Sequence, residues 1–525
     1  MSSTYVISYD IGTTGNKTCL YEIADDMMRL VAQTSRRLSL ALLENGGAEQ
    51  DPVEWWQSVC ETTPEVIALA GLRAEDIAGI AFCCQTQGVL FVDETGTPLR
   101  PAMNYMDKRA QPQFEAFCDG PVRVAGFHVN RLITYLNETT IIAGSARDPV
   151  FKYIWFRDNE PELFARTHKW LDVKDYLLYR CTGRYVATED GVFTGMIYNP
   201  KKHCVSDKIL AMHGIKKQHL PEIVRSTESL GYLSEEKARE MGLSTACQVF
   251  AGGVDCALIN VGAGSTHMGD THVYIGTSGW VSTVVDKPMV DLSCMIASLV
   301  GADWNRYNYY GELETSGKCL EWARDTLVVD NTGTYAGEPS EDAIRLLCET
   351  AAKADAGSGG VLFTPWLPGS RCPFEDADAR GMFFNLRLST GKAELLRAVL
   401  EGIAFHMRWM LERTDMKIAT SKVIRIVGGG ARSPVLCQIF ADILRRPVER
   451  IENPQNAGAM GAAILVAVGL GLLPAIEDAD QFANIDARFE PNSAHTAVYE
   501  KNYAVFKELY ASNKAHFHAL NKNKK

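Results

Sequence analysis

The 525-residue sequence lacks the CxxC and HExxH spacings that indicate zinc sites, and its 14 cysteines are scattered without a regular interval. It also lacks a basic surplus. Its net charge of −11 excludes nucleic acid as the main partner, because Lys and Arg are needed to neutralise phosphates. No apolar leader segment stands at the N-terminus, so we expect a cytoplasmic protein with reduced thiols.

One uncharged apolar run, residues 457–476, is long enough to span a bilayer. The run is dominated by Ala and Gly, contains Pro474, and has no aromatic anchors or flanking basic clusters. Small residues instead let neighbouring backbones approach closely. We therefore predict a tightly packed buried helix here and no membrane association.

The most informative motif lies at residues 5–21, where an apolar strand-like run reaches Asp10. The run breaks at residues 12–15 (Gly-Thr-Thr-Gly) and resumes as a second strand-like run. Backbone N–H groups and Thr hydroxyls in such a loop suit a phosphate chain, and Asp10 is placed to hold a divalent cation. A dinucleotide fingerprint or a Walker loop would open a helix after the glycines, so both fit poorly. An ordinary hairpin turn is the alternative.

Two later segments extend the nucleotide hypothesis. A strand-like run leads into residues 276–279 (Gly-Thr-Ser-Gly), which repeats the opening hairpin and indicates two domains of similar plan. A chance recurrence of a short turn is the alternative. Residues 423–427 form a strand-like run before three glycines, and Ser433 and Pro434 then predict the N-cap and first turn of a helix. The glycines let adenosine lie on the backbone, while the helix N-terminus adds donors.

Hydrophobic spacing predicts further elements. Helical periodicity appears at residues 51–69 and 151–179, and strand-like runs appear at residues 76–84 and 89–93. Residues 256–262 have a helical pattern directly after Asp255.

The ordered motifs resemble the FGGY sugar kinases of the actin/hexokinase/Hsp70 ATPase superfamily, across nearly the whole chain. The resemblance rests on residues 10–17, 149–159, 252–255, 276–279, 369–373, 379–381, 397–402, 428–434 and 461–463. Within the family the sequence is most similar to xylulokinases. The resemblance implies an α/β fold of two ribonuclease-H-like domains with a cleft between them. The first domain, residues 1–250, would hold the sugar site and the first phosphate loop. The second domain, residues 251–525, would hold the catalytic aspartate and the adenosine site.

The resemblance implies ATP-dependent phosphorylation of a sugar hydroxyl with Mg²⁺, and D-xylulose is the expected substrate. Asp255 matches the catalytic aspartate that accepts the hydroxyl proton, and Asp10 matches the carboxylate associated with Mg²⁺. A helix-capping role is the alternative for Asp255. The implied ATP ligands are Gly12, Thr13, Thr14, Lys17, Gly276, Thr277, Gly428, Gly429 and Ala431. The implied sugar ligands are Thr86, Gln87, Tyr105, Asp107, Asp255 and Cys256.

The sugar site departs from the xylulokinase pattern. Thr86 and Gln87 stand in place of a Met-His pair. Tyr105 occupies a position where many members have Trp, and Cys256 occupies one where an Asn or Gln amide is usual. Another ketose such as ribulose, a polyol such as erythritol or glycerol, or a sugar acid such as gluconate is therefore an alternative substrate. Two other classes stay open: an actin- or Hsp70-like ATP-driven conformational protein, and a catalytically poor sugar sensor. The sequence does not determine the oligomeric state, for which a homodimer is one alternative.

Overall fold

The structure is a computed structural model that describes residues 3–24, 27–328 and 341–522. A mixed sheet forms the first lobe, in the order β5-β6-β4-β1-β2-β3, with β7 also paired to β4. Strands β1 and β2 are antiparallel, while β4 runs parallel to β1. The strands are Thr4–Ile11 (β1), Gly15–Ala24 (β2), Met27–Arg37 (β3), Ile77–Cys84 (β4), Ser229–Tyr232 (β5), Gln248–Phe250 (β6) and Gly253–Val254 (β7).

The sheet of the second lobe repeats this plan, in the order β10-β11-β12-β9-β8-β13-β14-β15. Its antiparallel hairpin β8–β9 corresponds to β1–β2, and β13 runs parallel to β8 as β4 does to β1. The predicted α/β fold of two similar units is therefore confirmed. The strands are Thr271–Ile275 (β8), Gly279–Val285 (β9), Val290–Asp291 (β10), Ile296–Val300 (β11), Tyr307–Leu313 (β12), Ile424–Val427 (β13), Val448–Ile451 (β14) and Ile485–Phe489 (β15).

Helices and short ladders surround the two sheets. The ladders join Ala41–Leu42, Ala48–Gln50 and Ala102–Met103; Leu90–Val92 and Lys169–Leu171; Arg123–Val124 and Phe127–His128; Val186–Thr188 and Glu222–Val224; Tyr198–Asn199 and Cys204–Val205; and Leu362–Phe363 and Phe383–Phe384. The α-helices are Pro52–Leu69 (α1), Gln111–Cys118 (α2), Val129–Glu138 (α3), Pro149–Asn159 (α4), Pro161–Phe164 (α5), Val173–Thr182 (α6), Glu189–Thr194 (α7), Asp207–His213 (α8), Glu235–Met241 (α9), Asp255–Gly262 (α10), Gly317–Ala323 (α11), Glu341–Ala351 (α12), Lys392–Asp415 (α13), Pro434–Leu444 (α14), Ala457–Gly469 (α15) and Thr496–Asn521 (α16).

Local sequence signals predicted several of these elements correctly. Helix α1 begins after Asp51, whose side chain accepts from the Val53 N–H. Ser433 caps α14 by accepting from the Leu436 N–H, with Pro434 at the first helical position. The helical periodicity at residues 151–179 does not correspond to a single helix. That segment contains α4, α5, the strand Lys169–Leu171 and the start of α6, because a proline at position 161 ends α4 and a second N-cap restarts the helix after the strand.

Helix α15 accounts for residues 457–469 of the apolar run, and residues 470–476 lie beyond its end. Its residues from Ala457 to Ala467 are buried. It packs against α10 and against strands β1, β2 and β4 of the first sheet. A Cβ added at Gly262 would lie 1.8 Å from the Ala457 carbonyl oxygen, and one at Gly461 would lie 2.1 Å from the Leu258 carbonyl oxygen. The prediction of a close-packed buried helix is therefore confirmed. In the described part of the chain, no helix is both long enough and apolar enough to cross a membrane.

The packing of α10 and α15 fixes the start of α10 beside the first sheet. Asp255, the first residue of α10, follows directly after β7, which pairs with β4. The domain boundary near residue 250 stays a prediction.

Candidate active site

The first hairpin turns immediately after Asp10, at the end of β1. Gly12 donates its N–H to the Gly15 carbonyl at 2.9 Å, which closes the turn. Lys17 faces Asp10 across the ladder, with Lys17 Nζ 3.8 Å from Asp10 Oδ2, and also donates to the Gln455 carbonyl at 2.6 Å. Burial raises the pKa of Asp10, and the Lys17 ammonium opposes that rise.

A network of buried amides ties this hairpin to the loop after β4. Gln85 Oε1 accepts from the Thr13 hydroxyl at 3.0 Å and from the Asn104 amide at 2.9 Å. Gln50 Oε1 accepts from Gln85 at 2.7 Å and from Asn104 at 2.9 Å, and the Gln50 amide donates to the Thr13 carbonyl at 2.9 Å. Because each amide has several partners, its orientation is fixed. Thr13 is therefore held from the side on which the sugar is expected.

Asp255 lies partly exposed at the first turn of α10. Its Oδ1 accepts from the Cys256 backbone N–H at 2.7 Å. Burial raises the pKa of Asp255 to about 7, that hydrogen bond opposes the rise, and the charges of Asp10, Glu312 and Asp190 add to it. A carboxylate whose pKa lies near the operating pH can accept a proton from a hydroxyl and release it again.

The second hairpin, between β8 and β9, is closed by a hydrogen bond from Gly276 N–H to the Ser278 carbonyl at 3.0 Å. Its carbonyls are occupied by the start of α11: Gly317 N–H donates to the Gly276 carbonyl at 2.7 Å, and Lys318 N–H donates to the Thr277 carbonyl at 3.2 Å. A Cβ on Gly317 would lie 2.4 Å from the Gly276 oxygen, so this approach requires glycine. Thr277 itself is exposed.

The triple-glycine loop after β13 packs on the second hairpin. Gly428 has φ +95°, and a Cβ there would lie 2.5 Å from the Ile275 carbonyl oxygen. Ala431 is fully buried. Gly429 differs, because a Cβ on it would meet no heavy atom within 4 Å. Gly429 therefore leaves open space in which a planar ligand group could lie.

On the predicted sugar side, Thr86 Oγ1 lies within hydrogen-bond distance of the Thr194 hydroxyl and 3.4 Å from Asp172 Oδ2. Gln87 has a left-handed φ of 63°, and its amide lies 3.4 Å from Asp148 Oδ1. The Lys152 ammonium donates to the Gln87 carbonyl at 3.0 Å. The backbone of this loop is therefore held from beneath, while Thr86 and Gln87 themselves are only partly buried.

Tyr105 and Cys256 both lie near Asp255. Burial raises the pKa of Tyr105, a hydrogen bond with Thr13 opposes the rise, and the charge of Asp255 adds to it. Cys256 is 6% exposed, and burial followed by the charge of Asp255 raises the pKa of its thiol. Tyr105 thus lies near both the first hairpin and Asp255.

Asp107 is fully buried and engaged by its own loop. Its Oδ2 accepts from the Ala48 N–H at 2.9 Å and from Arg109 Nε at 2.8 Å. In the described structure Asp107 therefore orders the segment that carries Tyr105. Its role as a sugar ligand stays a prediction.

Sequence reasoning missed the charged residues on the second-lobe side. Glu312 lies on β12 with its Oε2 3.6 Å from Arg371 Nη1. Burial raises the pKa of Glu312, and the Arg371 charge opposes that rise. Glu314 follows two residues later and pairs with Arg147 at 3.3 Å. One signal was available, because Arg371 lies in the sequence motif at residues 369–373.

Both halves of the chain match models of one enzyme family. The N-terminal domain model of the FGGY family of carbohydrate kinases matches residues 5–262, and the C-terminal domain model matches residues 271–470. The chain belongs to the FGGY family of carbohydrate kinases. It is therefore an ATP-dependent carbohydrate kinase, which confirms the resemblance inferred from the motifs.

Individual relatives of this FGGY kinase carry different substrate names. The xylulose kinase of Bacillus subtilis strain 168 is 30% identical over 513 residues, covering 97% of each chain. Two solved structures from Lactobacillus acidophilus, a gluconate kinase and a ligand-bound xylulose kinase, are each 26% identical with a TM-score of 0.85. Each alignment covers 99% of this chain and 100% of the solved chain. These similarities establish the family of this kinase, but they do not determine its substrate.

Proposed function

We propose that this kinase transfers the γ-phosphoryl group of ATP to a hydroxyl of D-xylulose and gives D-xylulose 5-phosphate. The observation that carries the proposal is the environment of Asp255. Its carboxylate has a pKa raised to about 7 and is influenced by Asp10 from the first hairpin and by Glu312 from the second lobe. Beyond the effect of burial, its charge also raises the pKa of Tyr105, a predicted sugar ligand, so Asp255 is close to both the expected phosphate-binding side and the expected sugar side.

In this proposal Asp255 accepts the proton of the attacking hydroxyl. Phosphoryl transfer depends mainly on positioning and charge stabilisation, so one carboxylate suffices as the base. The exposed Thr277 presents a hydroxyl, whereas the Thr13 hydroxyl already donates to Gln85, so the first hairpin would use backbone N–H groups. Such donors suit phosphate oxygens. Gly429 leaves the open space that adenosine requires.

Asp10 fits the expected Mg²⁺. It is a carboxylate near the end of β1, and its side chain is 25% exposed. Mg²⁺ is held in nucleotide sites by one or two carboxylates together with water and phosphate oxygens. When bound, the ion would neutralise phosphate charge and orient the phosphate chain.

The charge balance favours a neutral sugar over a sugar acid. Asp148, Glu312 and Asp255 supply acceptors for sugar hydroxyls. The nearby guanidiniums already face carboxylates: Arg371 faces Glu312 at 3.6 Å, and Arg147 faces a glutamate at 3.3 Å. A gluconate carboxylate would therefore have to displace a carboxylate that faces Arg371 or Arg147, or to approach Lys108, whose pKa is lowered by the Arg147 charge, by burial and by Arg380. The xylulose kinase relatives support the same choice.

The test is ADP release with Mg²⁺ and ATP across D-xylulose, L-xylulose, D- and L-ribulose, erythritol, glycerol and gluconate. We expect D-xylulose to give the highest kcat/KM, and a preference for gluconate would contradict the charge argument. Asp255→Ala should lower kcat on the best sugar by about 10²–10⁴-fold, the range for a general base. Asp286→Asn, at an exposed position outside the site, is the control and should behave as wild type. Near-normal turnover of Asp255→Ala would refute the assignment of the base.

A further inference from the structure

The short helix α7 touches the two functional regions of the first lobe at its two ends. Near its start, Asp190 is 1% exposed and its Oδ2 accepts from the Val254 backbone N–H at 2.8 Å. Val254 directly precedes Asp255, so this bond holds the backbone from which the proposed base projects. A Cβ on Gly253 would lie 2.7 Å from Asp190 Oδ2, so the close approach depends on glycine.

At the other end of α7, Thr194 contacts the sugar-side loop. Its hydroxyl donates to the Gly191 carbonyl at 2.8 Å, so it accepts from the Thr86 hydroxyl. The alternative acceptor for Thr86 is Asp172 Oδ2 at 3.4 Å. In both arrangements the Thr86 proton is used within the protein. Toward a ligand, Thr86 can then only accept a hydrogen bond, as from a sugar hydroxyl.

Burying the Asp190 carboxylate is costly unless it is paired. The cation whose charge acts on Asp190 is Lys174, which itself lies 3.2 Å from Asp175. At the end of β7, Asp190 accepts a hydrogen bond from a backbone N–H. A neutral acceptor could accept the same hydrogen bond equally well.

We propose that Asp190 is a positioning residue for Asp255, and that α7 couples this position to Thr86 in the sugar-side loop. The inference rests on the proposed role of Asp255 as base. Loss of the Asp190 acceptor frees Val254 and lets the Asp255 carboxylate move away from the reacting hydroxyl. Displacement of about 1 Å in a catalytic arrangement costs on the order of 10²-fold in rate. Asp190 contacts no predicted ATP ligand, so its loss affects turnover and not ATP binding.

The experiment measures kcat and both KM values for Asp190→Ala, Asp190→Asn and Thr194→Val, with thermal unfolding of each variant. Asp190→Ala should lower kcat by about 10–100-fold with little change in the KM for ATP. Asp190→Asn keeps an acceptor for Val254 and should restore most of the lost kcat. Thr194→Val should mainly raise the KM for the sugar. Glu189→Gln, on the same helix but facing His203 at 3.5 Å, is the matched control and should match wild type.

Equal losses in Asp190→Ala and Asp190→Asn would overturn the inference, since the amide keeps the hydrogen bond. A normal kcat in Asp190→Ala would overturn it as well. If Asp190→Ala does not fold, Gly253→Ala replaces it, because its Cβ displaces the same carboxylate oxygen and should give the same selective loss of kcat. Asp255→Asn is assayed in parallel. Full turnover there refutes the proposed base, whereas an inactive Asp255→Asn beside a normal Asp190→Ala refutes the positioning role alone.

Discussion

The hairpins at residues 12–15 and 276–279 have nearly the same sequence but are held in different ways. The first is held by side-chain amides, with Gln85 and Gln50 bonding Thr13 at 3.0 and 2.9 Å. The second is held by backbone packing, because a Cβ on Gly317 would lie 2.4 Å from the Gly276 carbonyl oxygen and one on Gly428 would lie 2.5 Å from the Ile275 carbonyl oxygen.

Because of this difference, we expect the two hairpins at the ends of the expected phosphate chain to behave differently. Backbone packing against glycine has one geometry and does not respond to a bound sugar. The amide network has directional partners and extends through Asn104 to the segment that carries Tyr105. We infer that the second hairpin is a fixed support, while the first hairpin is coupled to the sugar side.

The largest expected effect comes from the carboxylate that lies between the hairpins. Burial raises the pKa of Asp255 to about 7, so the group is protonated and unable to accept a proton below that pH. kcat/KM for the sugar should fall tenfold per pH unit on the acid side, which is about 10²-fold two units below the pKa. Initial rates measured at constant ionic strength check this. A flat pH profile across that range would show that Asp255 does not take part in the chemistry. Thr277→Val is the control and should leave the acid limb of the profile unchanged.

The second prediction tests the backbone support with two adjacent glycines. Gly428→Ala places a Cβ 2.5 Å from the Ile275 carbonyl at a φ of +95°, and should lower the free energy of unfolding by about 1–3 kcal/mol. Gly429→Ala meets no atom within 4 Å and should leave the nucleotide-free stability unchanged while raising the KM for ATP. Thermal unfolding without nucleotide and ATP kinetics distinguish the two. Equal stability of both variants would show that this loop does not brace the hairpin.

Features that depend on neighbouring residues were predictable from the sequence. The turn glycines, the Ser433 cap and the start of α10, which lies at Asp255 and one residue before the predicted start, all follow from signals a few residues long. The helical periodicity at residues 151–179 does not correspond to a single helix for the same reason, because apolar spacing continued across a proline break and a buried strand. Periodicity reports burial of a face and does not report where a helix ends.

Features that join distant residues could not be predicted. The Gln85–Gln50 bond spans 35 residues and the Asp190–Val254 bond spans 64. A single buried polar residue has no periodic pattern, and only the folded chain brings its partner near. The family resemblance supplied Asp255 because that residue lies in a motif, whereas the residue that holds its backbone lies outside those motifs.

The third prediction breaks the coupling of the first hairpin. Gln85→Leu removes the acceptor shared by Thr13 and Asn104 and leaves polar groups without partners. A loss of about 1–2 kcal/mol of binding free energy corresponds to a rise of roughly 5- to 30-fold in KM. We expect that rise in the KM for ATP and in the KM for the sugar. Gln57→Leu on the exposed face of α1 is the control. A rise in only one of the two KM values would show that the network does not connect the sites.

The smallest effect is expected at the second hairpin and completes the comparison. Thr277 is exposed and its carbonyl is held by Lys318 N–H at 3.2 Å, so Thr277→Val removes one hydroxyl without disturbing the support. The KM for ATP should rise by about 2- to 10-fold, the value of one hydrogen bond, with the sugar KM unchanged. Thr13→Val at the matching position should raise both KM values, because its hydroxyl bonds Gln85. Identical kinetic changes in the two valine variants would mean that the hairpins are equivalent, and that the difference in how they are held has no functional consequence.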